Sequence, residues 1–208
     1  MCGIAGFTSK TPVDRPTEKL QGIIDVMSHR GPNAEGIFED EIVHLGHRRL
    51  SILDLTEVGN QPIQDHSGRY TMVFNGEIYN YQEIKAELKD YPFKGTGDTE
   101  MILAAYRAWG PDCLQKFNGM FAHAIWDEAE QSLFIARDRL GIKPLYYVRT
   151  GEDMVFASEI RSIIRSGLIQ PEIDPLSLQE YLQYYSVNSP RTILKHVFQL
   201  KAGHFGIW

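Results

Sequence analysis

The chain has 208 residues, enough for one large domain or two small ones with a substantial core. Its 43% apolar and 23% charged content is that of an ordinary globular protein, and a net charge of -6 removes the electrostatic reason to bind nucleic acid or an anionic membrane. Cys2 and Cys113 are too few for a disulfide framework or a cysteine-rich metal site, and no basic leader or apolar run of about 18 residues occurs, so a reducing, cytoplasmic setting is expected.

Taken in chain order, Cys2 to Phe7 is short, apolar and glycine-punctuated, which predicts a strand that opens at the first residue left once Met1 is removed. Thr17 to Met27 sets Leu20, Ile23, Ile24 and Met27 at helical spacing behind a Thr17 cap and stops at the loop His29-Arg30-Gly31-Pro32-Asn33. Further strands are predicted at Ile42 to Leu45, Leu50 to Leu55, Tyr70 to Phe74, Met120 to Trp126, Ser132 to Arg137, Leu145 to Arg149 and Met154 to Ala157. Helices are predicted at Tyr81 to Leu88, Thr99 to Trp109, Ser158 to Ser166 and Pro175 to Tyr185. The strands fall in clusters joined by tight turns such as Asp127-Glu128-Ala129-Glu130, so the expected class is α+β with antiparallel sheets. Gly167, Pro171 and Pro175 punctuate a polar run. Residues 1–170 are therefore expected to form one domain and residues 171–208 a connector, with a further domain beyond a terminus that carries Phe205, Ile207 and Trp208.

Loss of Met1 would leave Cys2 with both a thiol and a free α-amine. A thiol needs deprotonation to attack, while an α-amine titrates near 8 and is partly neutral at physiological pH, so the residue carries its own base. In Phe74-Asn75-Gly76-Glu77-Ile78-Tyr79-Asn80 an apolar strand gives way to an amide, a glycine and a carboxylate. Asn75 can offer a side-chain N–H and Gly76 an unhindered backbone N–H, the two donors of an oxyanion hole; Asn-Gly is equally a hairpin signal. Asp98, between Gly97 and Thr99, reads as the N-cap of the following helix and as a carboxylate able to hold a substrate ammonium. Arg48 and Arg49 precede a strand, where an arginine grips a carboxylate through paired hydrogen bonds or is simply solvated. His29, His47 and His123 receive no chemistry, and no histidine spacing suggests a metal.

Together these segments resemble the glutaminase domain of class II, N-terminal-nucleophile glutamine amidotransferases, and are most similar to that of glutamine-hydrolysing asparagine synthetases. The residues that carry the resemblance are Cys2-Gly3-Ile4-Ala5-Gly6, His29-Arg30-Gly31-Pro32, Arg49-Leu50-Ser51-Ile52, Asn75 to Asn80, Gly97-Asp98-Thr99-Glu100, Gly119-Met120-Phe121-Ala122 and Arg137 to Tyr147. They run in family order from residue 2 to about residue 160.

The resemblance implies a four-layer αββα sandwich in which Cys2 attacks the side-chain amide of L-glutamine, releases ammonia and leaves a thioester that water hydrolyses. It implies Cys2 as nucleophile and base, Asn75 and Gly76 as oxyanion hole, Arg49 as partner of the glutamine α-carboxylate, and Glu77 and Asp98 as partners of its α-amino group. Arg30 receives no step. No cofactor is expected in this domain. ATP and magnesium belong to the C-terminal ATP-pyrophosphatase synthetase domain that the resemblance supplies as partner, whose Ser-Gly-Gly-x-Asp-Ser loop is absent from these residues. The acceptor of the ammonia and a homodimeric state are left open. A non-catalytic docking module and an amide hydrolase for another substrate are the competing functions.

Overall fold

The run behind Cys2 carries no charge, and it becomes the fully buried strand β1 (Gly3–Thr8). The computed structural model describes residues 1–52 and 57–208. After β1 come helix α1 (Pro16–Asp25) and strands β2 (Ala34–Glu39), β3 (Val43–Arg49), β4 (Ile63–Gln64) and β5 (Tyr70–Ile78). Helices α2 (Tyr81–Glu87), α3 (Thr99–Trp109) and α4 (Cys113–Lys116) lead to strands β6 (Gly119–Asp127), β7 (Ser132–Arg137), β8 (Tyr146–Thr150) and β9 (Asp153–Ala157). Helices α5 (Ile160–Arg165) and α6 (Pro175–Tyr184) precede two short strands, β10 (Val197–Gln199) and β11 (Phe205–Ile207). One sheet has the order β10-β8-β9-β1-β3-β2 and the other β11-β7-β6-β5-β4. Every pairing in both is antiparallel.

Successive strand residues point to opposite faces, and here both faces are apolar. In β6, Ala122, Ala124 and Trp126 enter a layer shared with Ile4 of β1 and with Val43 and Leu45 of β3. Phe121 and Ile125 turn the other way, against Ile84 of α2 and Met101, Ile102 and Ala105 of α3. Ala5 and Phe7 of β1 face Leu20, Ile23 and Ile24 of α1 and Ile163 of α5. The layers therefore run helix, sheet, sheet, helix, the αββα order that the resemblance implies. No helix among the described residues is long and apolar enough to cross a membrane.

Several local expectations change. Strand β1 starts at Gly3, so Cys2 stands just before it. Helix α1 starts at Pro16, and the Thr17 hydroxyl donates to Glu39 (2.9 Å) rather than capping the helix. Leu50 to Ile52 forms no strand, because the Leu50 N–H goes to the Cys2 sulfur and the Ser51 N–H to the Asn33 side chain; Leu53 to Leu55 lies outside the described residues. Asn75-Gly76 makes no turn, since β5 continues through it to Ile78 and stays paired with β6. Residues 171–208, expected as a connector, contribute an edge strand to each sheet, β10 on β8 and β11 on β7.

Two histidines are sealed in this core. His123 lies between Phe121 and Phe134, with ring centroids 5.4 and 5.8 Å away, and neither ring nitrogen has a partner among the described residues. His47 donates from Nε2 to the Phe74 carbonyl (3.2 Å). Burial pulls both imidazoles down to about 3. Unfolded, each binds a proton near pH 6.5, so the stability it permits is complete above that pH and is lost as pH falls toward 3. Going from pH 7.5 to 5 costs about 2 kcal/mol per histidine. Urea unfolding of His123→Leu at the two pH values should show a loss smaller than that of the parent chain by this amount.

Candidate functional site

The alternation that builds the inter-sheet core also selects the side chains at one of its ends. Cys2 shares its parity with Ile4, Arg49 with Val43 and Leu45, and Asn75 and Glu77 with Val73, and all four apolar residues lie between the sheets. Gly3 is paired with Arg48, which sets the start of β1 beside the end of β3. Where the apolar layer stops, a cavity of about 100 Å³ opens, lined by Cys2, Arg49, Asn75, Gly76, Glu77 and Asp98. All six residues singled out in the sequence thus meet in one place. Met1, Leu50, Gln61 and Lys143 also line it.

Cys2 is partly exposed there. Its Sγ accepts the Leu50 N–H at 3.4 Å and lies 3.7 Å from the Leu50 carbonyl. Its own carbonyl accepts Arg30 Nε at 2.9 Å, and Arg30 Nη1 is paired with Glu159 (3.2 Å). The next residue, Gly31, makes this reach possible: a Cβ at that position would stand 2.3 Å from the carbonyl carbon and oxygen of Arg48. The His29-Arg30-Gly31-Pro32 loop, unassigned from sequence, thus lies on β3 and holds the Cys2 carbonyl. Cys113 is the opposite kind of thiol, buried in the core and pushed up to about 12 by that burial.

Strand β5 supplies the donors. Phe74, Gly76 and Ile78 direct their N–H groups away from β6, because Phe121, opposite Gly76, spends its own N–H and carbonyl on Asp138. The Phe74 N–H is taken by Gln61 Oε1 (2.6 Å) and the Ile78 N–H by Asp98 Oδ2 (2.8 Å). Between them the N–H of Gly76 faces the cavity. A side chain at Gly76 is excluded on the other side, where a Cβ would meet the Met120 carbonyl at 2.3 Å. Asn75 is buried, and its Nδ2 has no hydrogen-bond partner among the described residues. A buried amide donor left unpaired is costly in a folded protein, and this one lines the cavity.

The charged residues divide between site and scaffold. Arg49 is buried and donates to Asn60 Oδ1 at 2.7 Å. Arg48 points away, to Asp25 (2.6 Å) and Glu35, and takes no part in the cavity. Asp98 does not cap α3 with its side chain, contrary to expectation, because its carboxylate is committed to Ile78. Burial pushes this carboxyl above the usual range, and the Ile78 N–H opposes the rise. His29 is spent on Glu159 and Arg161. Lys143 had no assignment from sequence, although it belongs to the Arg137 to Tyr147 segment that carries the resemblance.

A sequence profile described as "Glutamine amidotransferase domain" matches residues 1–208. The chain is 40% identical to glutamine-hydrolyzing asparagine synthetase 1 of Bacillus subtilis, over 98% of this chain and 33% of that protein. It is 39% identical to the amidase chry2 of Gibberella zeae, over 99% of this chain and 32% of that one. The chain therefore spans about a third of the length of these curated relatives. Among solved structures it resembles the glutamine phosphoribosylpyrophosphate amidotransferase from B. subtilis, with a TM-score of 0.68 at 19% identity, over 84% of this chain and 46% of that one. At that identity the likeness concerns the fold alone.

The commitment of Asp98 to Ile78 can be measured. Asp98→Ala strands a buried N–H and should cost about 1–3 kcal/mol in urea unfolding, whereas Asp98→Asn keeps an acceptor oxygen and should cost clearly less. Equal losses in the two variants would detach the carboxylate from this structural duty.

Proposed function

Since the chain belongs to the glutamine amidotransferase domain family, we propose that its cavity hydrolyses L-glutamine to glutamate and ammonia, with Cys2 as the nucleophile after removal of Met1. The observation that carries this reading is the convergence of a partly exposed thiol at the start of β1 with an amide donor, Asn75 Nδ2, that is buried and unpaired among the described residues.

The proton leaves Sγ for the neutral α-nitrogen of Cys2. The sulfur then bonds to the carboxamide carbon of glutamine, whose oxygen takes the negative charge and is received by Asn75 Nδ2 and the Gly76 N–H. Collapse of this intermediate breaks the C–N bond, and the α-ammonium returns a proton to the departing nitrogen as ammonia. Water, deprotonated by the same amine, adds to the thioester and releases glutamate. The amine at the chain end, here that of Met1, is held below its ordinary value by burial, opposed by Cys2 and reinforced by Arg30 and Lys143; such surroundings favour the neutral, accepting form.

Arg49 binds the α-carboxylate of glutamine in this reading, while Glu77 and Asp98 bind its α-ammonium. Both signs of charge are needed to hold a free amino acid, and both line the cavity. With relatives three times as long as this chain, the ammonia passes to an ATP- and magnesium-dependent synthetase portion outside these residues. The names of the relatives, asparagine synthetase and amidase, do not agree on one acceptor for the ammonia.

Cys2→Ala should abolish glutamate release from glutamine while the melting temperature stays close to that of the parent; unaltered turnover would refute the mechanism. Asn75→Ala should lower kcat by about 10²- to 10³-fold with KM for glutamine little changed, since the lost donor serves the oxyanion rather than the bound substrate.

A further inference from the structure

One cation in the cavity remains after the substrate has been accommodated. Arg49, Glu77 and Asp98 satisfy an amino acid headgroup, yet Lys143 also lines the cavity and is only 5% exposed. The loop that carries it is fixed by its backbone. Asp138, five residues earlier, accepts the N–H groups of Leu140 and Ile142 on Oδ1 and of Phe121 and Lys143 on Oδ2, at 2.9–3.1 Å. Arg137 Nε holds the Lys143 carbonyl at 2.6 Å. Asp138 is thus consumed by the loop, and the Lys143 ammonium has no hydrogen bond or ion pair among the described residues. The side chain is nearly buried but lines the cavity, and a cation so placed gains from an anion that forms beside it.

We infer that Lys143 is the electrostatic partner of Cys2, holding positive charge near the sulfur while the thiol proton moves to the α-nitrogen. The inference rests on the reading of Cys2 as nucleophile. In that step no charge leaves the residue: the sulfur becomes anionic as the nitrogen becomes cationic, and Lys143 stays protonated throughout. When the S–C bond forms, the negative charge moves to the carboxamide oxygen and into the reach of Asn75 and Gly76. The other charged groups around Cys2 already have duties: Arg30 holds the Cys2 carbonyl and Glu159, Arg49 donates to Asn60, and Glu77 and Asp98 are anions. Burial draws the Lys143 ammonium below its ordinary value, Arg30 adds to this, and Cys2, Asp138 and Glu77 oppose it, which is the balance of a cation that welcomes a thiolate.

The test is the rate of Cys2 alkylation by iodoacetamide in the 208-residue chain after intact-mass proof of Met1 removal, with buried Cys113 as internal reference. At pH 7 Lys143→Met should react about tenfold more slowly than the parent and recover as pH is raised, while Lys143→Arg should stay near the parent rate. With glutamine, kcat of Lys143→Met should fall in parallel while KM stays within about twofold, as expected for a charge that serves the nucleophile and not the substrate. Lys143→Gln is the alternate variant should Lys143→Met fail to fold. An alkylation rate unchanged in a folded Lys143→Met or Lys143→Gln overturns the role of Lys143 whether or not glutamine is hydrolysed. A parent chain that fails to hydrolyse glutamine, yet whose variants show the tenfold drop, overturns the glutaminase reading and leaves Lys143 beside the thiol.

Discussion

The site depends on a sheet edge left open. Strand β4 pairs with Thr71 and Met72, so β5 runs on from Phe74 to Ile78 with no strand on that side among the described residues. Buried backbone N–H groups demand partners, and the side chains of Gln61 and Asp98 provide them at positions 74 and 78. The N–H between them, at Gly76, faces a cavity instead, with the amide of Asn75, unpaired among the described residues, next to it. Two donors directed into a cavity of a packed protein are a preorganised place for negative charge, because no reorganisation is needed when the charge arrives.

The remaining parts of the site can be read as support for that edge. Cys2 is held from behind, through its carbonyl by Arg30 and through the contact of Leu50 with its sulfur, so a residue just outside β1 has a defined position. Arg30 is aimed by Glu159 at the start of α5 and admitted by Gly31, which presses on the β3 backbone. Asp138 and Arg137 freeze the loop that delivers Lys143. Many residues of the family segments therefore touch backbone rather than cavity. Their chemistry is the satisfaction of loop N–H and carbonyl groups, and the residues that face the cavity are placed by it.

Some features stand out in the chain without any coordinates. Strands β1, β6 and β7 are legible as short apolar runs bounded by glycine or polar turn residues, and helices α1 and α3 because their apolar residues recur at helical spacing. Others are silent. Strand β2, Ala-Glu-Gly-Ile-Phe-Glu, lies at a sheet edge where its faces are only half covered, so it needs no clean alternation. Strand β11 leaves Phe205 and Ile207 about half exposed and exists because its backbone pairs with β7. Asp98 departs from the expected cap for a related reason: the local signal for capping is genuine, but the Ile78 N–H, twenty residues earlier in the chain and without a strand partner, claims the carboxylate.

By itself the sequence determined the α+β class with antiparallel sheets and the thiol next to Met1, since residue type, spacing and period are local properties that survive in one dimension; the αββα order and the set Cys2, Arg49, Asn75, Gly76, Glu77 and Asp98 followed from the resemblance its motifs carry. Only the tertiary structure decided that these six share one cavity, that Arg30 grips the Cys2 carbonyl, and that Lys143 is buried beside them with no ion-pair partner among the described residues. Those facts are distances between residues far apart in the chain, and they are fixed by strand register and by competition for buried hydrogen bonds, neither of which is written in any one segment.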